Sequence, residues 1–102
     1  MILEAAILNV RTGREAAFEI AMKEARPLIA ASPGFVGIEV RCRVETPNRY
    51  LLLVNWQTLE DHTVSFRQSE RYQAWRALLH QFYEPFPTVE HYGEAIDLGV
   101  QP

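Results

Sequence analysis

Tyr50-Leu51-Leu52-Leu53-Val54-Asn55-Trp56 is a run of strand-forming residues, bounded by Pro47 and Asn48 on one side and by Gln57 and Thr58 on the other. Side chains alternate along a strand, so Tyr50, Leu52, Val54 and Trp56 share one face, and Leu51, Leu53 and Asn55 share the other. Both faces are apolar, which predicts a strand covered on both sides. Thr58 followed by Asp61 predicts the N-cap of a helix that carries His62, Phe66, Tyr72, Trp75 and Leu79.

Upstream, residues 2–10 predict another strand that is largely apolar on both faces, Glu4, Ala6, Leu8 and Val10 alternating with Leu3, Ala5, Ile7 and Asn9. Thr12-Gly13-Arg14-Glu15 has the form of a capping box. Beyond it, Phe18, Ala21, Met22, Ala25, Leu28 and Ile29 recur at helical spacing as one buried stripe, with Pro27 expected to loosen the last turns. Ser32-Pro33-Gly34 ends that helix. Residues 35–44 predict a strand with Val36, Ile38, Val40, Cys42 and Val44 on its apolar face. The short turn after it favours an antiparallel hairpin with the Tyr50 strand. Pro85 and Pro87 stop the last helix, and residues 88–96 predict a fourth strand. Residues 1–96 therefore make one domain, and residues 97–102 a tail.

Strand, helix, two hairpin strands, helices and strand is the order of an α+β, ferredoxin-like split βαβ fold, with helices on one face of a four-stranded antiparallel sheet. A chain of 102 residues cannot also cover the second face, which carries Leu3, Ala5, Ile7, Leu51 and Leu53. A homodimer packed sheet against sheet is the expected solution.

Composition narrows the partners. A hydrophobic fraction of 48% is ample for a core, and a formal charge of −3 with no basic run argues against nucleic acid and anionic membranes. Cys42 is the single cysteine, so no internal disulfide forms. No apolar stretch is long enough to span a bilayer, and Met1-Ile2-Leu3-Glu4 lacks the basic start of a signal peptide; a cytoplasmic protein is the expectation. There is no P-loop, dinucleotide fingerprint, nucleophile elbow or His/Cys metal spacing, so neither a cofactor nor a metal is expected.

The chemistry falls to three histidines, His62, His80 and His91. If Val89 faces the helices, so does His91, and so does Trp56; His62, His91 and Trp56 are then expected to line one cleft between sheet and helices. A neutral imidazole there is a plausible proton acceptor, although a buried histidine is more often a packing residue. Phe66, Tyr72 and Trp75 give that cleft an aromatic lining suited to a flat organic ligand. Asn9 and Asn55, at strand ends, are candidates to orient a carbonyl or a peroxo group. Arg67, Arg71 and Arg76 fit solvated helix faces.

Ser32-Pro33-Gly34-Phe35, the stretch from Tyr50 to His62, then Phe66, Ser69, Tyr72 and Trp75, and finally Val89-Glu90-His91-Tyr92, together resemble the antibiotic biosynthesis monooxygenase (ABM) domain. The resemblance implies a dimeric α+β barrel. For some members it also implies cofactor-free oxygenation of polycyclic phenols or quinols, and for others haem degradation or isomerisation of small metabolites. The haem-degrading branch fits badly, because Ala6 and Trp75 stand where it carries an asparagine and a histidine ligand. The cofactor-free oxygenases place a tryptophan where Trp56 stands and use nearby Asn or His residues. The expectation is a small monooxygenase acting with molecular oxygen on an electron-rich aromatic, His62, Trp56 and His91 forming the catalytic set. The alternatives are a metabolite-binding or regulatory dimer and an isomerase on the same fold.

Overall fold

The computed structural model describes residues 1–100. Four strands, β1 (Ile2–Asn9), β2 (Phe35–Cys42), β3 (Arg49–Trp56) and β4 (Val89–Tyr92), form one antiparallel sheet in the order β2-β3-β1-β4. Helix α1 (Glu15–Ala30) follows β1; a six-residue π-helical segment (Asp61–Phe66), α2 (Glu70–Leu79) and a short 3₁₀ turn (His80–Phe82) follow β3. This is the α+β, ferredoxin-like arrangement expected. The molecule is a slab only 20 Å thick against 44 and 35 Å in its other dimensions, the depth of one sheet and one helical layer. Among the described residues, the second sheet face is left uncovered, with Ile7, Leu51 and Tyr92 at 51%, 38% and 52% exposure.

Register explains the partition. β1 pairs with β3 so that Ala6 faces Leu52 and Glu4 faces Val54, and with β4 so that Glu4 faces His91. Ala6, Leu8, Leu52, Val54 and Trp56 are buried beneath the helices with Phe18, Ala25 and Ile29 of α1. Tyr50 joins them, its hydroxyl donating to Glu19 at 2.7 Å. The stripe on α1 runs through Pro27 to Ala30 without a break in the helix.

Several local expectations are corrected. A bulge between Phe35 and Gly37 shifts the register of β2, so Phe35 packs edge-on against Trp56 while Val36 turns outward. β2 ends at Cys42, leaving Val44 95% exposed. β4 ends at Tyr92, short of the expected residue 96, and residues 101–102 of the tail lie outside the described residues. The Thr12–Glu15 capping box does not form: Gly13 adopts a left-handed φ of 88°, Arg14 becomes the N-cap, and no side chain caps α1. The single helix expected after Trp56 is two pieces. Ser69 adopts extended geometry and restarts the helix, its hydroxyl accepting from the Tyr72 amide at 3.2 Å.

The cap at Thr58 does form. Asp61 Oδ2 accepts from the Thr58 amide at 3.0 Å, and Thr58 Oγ1 from the Asp61 amide at 3.2 Å. Gly34 lies against this cap with φ 81°, and a Cβ there would run into the Asp61 carboxylate. Gly34→Ala is therefore expected to cost about 2–4 kcal/mol, combining left-handed strain with the disturbed cap. Urea denaturation measures this; a midpoint unchanged from wild type would show that the contact yields freely.

Candidate active site

Glu4 is the side chain that the pattern of β1 makes unusual. It shares the inward face with Ala6, Leu8 and Val10, and folding takes it to 4% exposure. Trp56, at the end of β3, is fully buried, and its indole N–H donates to Glu4 Oε1 at 2.9 Å. The capped turn at Thr58 brings the π-helical segment back over the sheet, and His62 stacks on the indole with ring centres 5.4 Å apart and planes 18° from parallel. His62 Nε2 lies 3.4 Å from Glu4 Oε1, an ion-pair distance longer than a well-formed hydrogen bond. On its other side, His62 Nδ1 meets His91 Nε2 at 2.8 Å. One of these two nitrogens donates and the other accepts.

The sequence signals for Trp56, His62 and His91 thus converge on one corner, where they surround a carboxylate that was not singled out from the sequence. These groups do not form a metal site. The nitrogens that meet His91 and Glu4 lie on opposite sides of one imidazole ring, so the three residues cannot converge on a single ion.

Beside the corner is a cavity of about 60 Å³. Glu4 and His62 line it, together with Phe66, Tyr72, Trp75, His80, Tyr83 and Arg67. Trp56 and His91 stand behind this lining, one on each side of His62. Phe66 links the groups, its ring 5.8 Å from Trp56, 5.5 Å from Tyr72 and 6.0 Å from Trp75. The structure does not bring Asn9 and Asn55 here. Both project to the opposite sheet face, where Asn9 accepts from Arg49 Nε at 3.1 Å and Asn55 is exposed. Larger hollows of about 440 and 460 Å³ also open on that outward face and at its edge, away from the buried carboxylate. Of the three arginines expected on solvated faces, Arg67 is exposed yet reaches the cavity wall, and Arg71 donates to Ser32 Oγ at 3.2 Å.

The electrostatics follow from burial. Desolvation pushes the Glu4 carboxyl above its ordinary value, opposed by the Trp56 hydrogen bond and the Arg67 charge. Desolvation also holds His62 neutral, its pKa lowered to about 3, with Arg67 and His91 acting in the same sense. His80 and His91 are likewise lowered, chiefly by burial.

The two directions have opposite consequences for stability. A histidine that titrates near 6.5 when unfolded but stays neutral when folded contributes fully above pH 6.5, and that contribution is lost as pH falls toward 3. The raised Glu4 contributes most below 4.5, its value as an unfolded group, and less as pH rises through its folded value. With three histidines against one carboxyl, wild-type stability is expected to drop by about 1–2 kcal/mol between pH 7 and pH 5. Chemical denaturation at the two pH values checks this, and equal midpoints would contradict burial of a neutral His62.

Comparison with known proteins places the chain in a family. The model of the antibiotic biosynthesis monooxygenase (ABM) family matches residues 1–78, three-quarters of the chain, and the chain belongs to that family. The matched region holds Glu4, Trp56 and His62 and stops before His91. The uncharacterized protein YczJ of Bacillus subtilis (strain 168) is 50% identical over 92 residues, covering 90% of this chain and 97% of the relative. Among solved structures, a Bordetella bronchiseptica protein assigned by name to the antibiotic biosynthesis monooxygenases superposes with a TM-score of 0.88 at 39% identity, covering 93% of this chain and 97% of that one. SnoaB, a cofactor-independent oxygenase from Streptomyces nogalater, matches with a TM-score of 0.82 over 95% of each chain; at 15% identity it shares the fold alone.

Proposed function

We propose that this protein is a cofactor-independent monooxygenase that oxidises an electron-rich aromatic, a phenol or quinol, with molecular oxygen, and that it works as a homodimer. The observation that carries the reading is a buried carboxylate and a buried neutral imidazole facing one small, partly open cavity ringed by aromatic side chains. Deprotonating a phenolic hydroxyl there gives an anion rich enough to pass an electron to oxygen. The balance needs no external reductant: a phenol with an open ring carbon and one O₂ give a quinone and one water, the substrate supplying all four electrons. Arg67, at the cavity wall, offers the anion a positive charge. The uncovered sheet face supports the dimer.

Volume sets a condition. About 60 Å³ holds dioxygen or about two waters. A benzene ring needs a cavity of roughly 150 Å³. Binding a ring therefore requires the wall to open; Tyr83 is tied to the end of β1 by its bridge to Val10, so the part without strand or helix to hold it is residues 85–88, which carry Pro87 on the wall and Phe86 against His80. The aromatic lining also suits a second reading, subject to the same opening of the wall, in which the dimer binds a small metabolite without turnover. Oxygen uptake by the wild type across a panel of phenols and quinols separates the two: consumption with quinone formation supports the oxygenase, and saturable binding without consumption supports the second.

A further inference from the structure

We propose that Glu4 is the group that receives the substrate proton, and that His62 and His91 carry the proton from it to solvent. This deepens the reading above, resting on it for the identity of the proton donor. The carboxylate is held by one oxygen: Oε1 accepts from Trp56, while Oε2 has no protein partner among the described residues and is not a sealed, unpaired atom, so it opens to the cavity. His62 lines the same cavity, but both its nitrogens are directed to neighbours, Nδ1 to His91 at 2.8 Å and Nε2 to Glu4 at 3.4 Å. It is placed to conduct a proton between two residues rather than to take one from a third molecule. His91 sits behind it on β4, half-buried, with one ring nitrogen engaged.

The groups facing Glu4 are Trp56 from β3, His62 from the π-helical segment, Arg67 at the C-cap of that segment, and His91 from β4. Burial leaves the carboxylate a stronger base than an exposed one, which suits proton abstraction near neutral pH. In the step proposed, the substrate O–H bond breaks and its proton passes to Glu4. That proton sits on Oε2, so the carboxyl group turns to bring it to His62 Nε2; the Oε2–H bond breaks as the Nε2–H bond forms, the Nδ1 proton of His62 moves to His91 Nε2, and His91 releases its Nδ1 proton to water. One proton leaves the substrate, one reaches solvent, and nothing is oxidised.

The Trp56 indole N–H resonance reports the ionisation of Glu4, and the ¹⁵N resonances of His91 report the far end. In the wild type the two are expected to share titration steps, as strongly interacting groups do, with the Trp75 indole as a control. Glu4→Gln should abolish the Trp56 step, move the His91 midpoint by about half a pH unit or more, and lower oxygen uptake about a hundredfold or more, with Glu4→Asp recovering part of the rate. A Trp56 indole blind to the pH range in which His91 titrates would overturn the proposal without any variant having to fold. So would a folded Glu4→Gln protein that keeps the wild-type rate, or a larger loss in His80→Gln, since His80 also faces the cavity. Coupled titration in a protein that consumes no oxygen would support the relay and remove the oxygenase reading; independent titration in an active protein would do the reverse.

Discussion

Replacing His62 with alanine is expected to cut oxygen uptake about a hundredfold or more, with the fold retained. The imidazole does three things that alanine cannot. It stacks on Trp56, it hydrogen-bonds His91, and it lies beside the buried Glu4 carboxylate. Removing it leaves that carboxylate with no path for its proton, so the loss should appear in kcat more than in KM. The packing cost, roughly 1–3 kcal/mol for a buried ring with one good hydrogen bond, is within what a domain of this size tolerates. Equal uptake by His62→Ala and wild type would remove the residue from the mechanism, whatever the effect on stability.

Leu53→Lys is expected to convert the proposed dimer to monomer or to aggregate. Leu53 lies at the centre of the outward face, opposite Ala5 on one neighbouring strand and Glu39 on the other. Its own face continues through Leu51, Ile7 and Leu3. A lysine in the middle of a sheet-on-sheet interface must bury its charge, and a twofold dimer would carry the same substitution on both of its faces. Because Leu53 points away from the Glu4–His62 corner, the monomer itself should still fold. Sedimentation velocity at micromolar concentration checks both halves; a well-folded monomeric wild type would remove the dimer from the account.

The legible parts of the fold were those written in alternation. The doubly apolar β1 and β3 announced a sheet with one face that the helices leave uncovered, and the alternation of β3 placed Trp56 inward correctly. β4 did the same for His91 through Val89. What failed was local chemistry with two acceptable outcomes. Thr12-Gly13-Arg14-Glu15 has the residues of a capping box, but Gly13 turns left-handed and moves the helix start beyond Thr12. Thr58 and Asp61 have similar chemistry and do cap each other. The β2 bulge turned one residue, Val36, out of its expected face, since a single inserted residue inverts an alternation.

At the site, the histidines and the tryptophan were found because their types carry the signal. Glu4 was visible as a lone carboxylate on an otherwise apolar inward face, yet Glu at the start of a strand is so often solvated that position alone did not distinguish it. Asn9 and Asn55 show the converse. Strand parity already put both opposite Trp56, and the structure keeps them on the outward face.

Oxygen consumption by the wild-type protein is the most direct test of the central claim. The measurement is made in chelator-treated buffer with phenols and quinols of increasing ring number, following dissolved oxygen and quinone absorbance together. The account predicts saturable uptake for at least one substrate class, one O₂ consumed per quinone formed and no response to added flavin or metal. Uptake no faster than buffer autoxidation across the whole panel, by protein shown to be folded and dimeric, would contradict it.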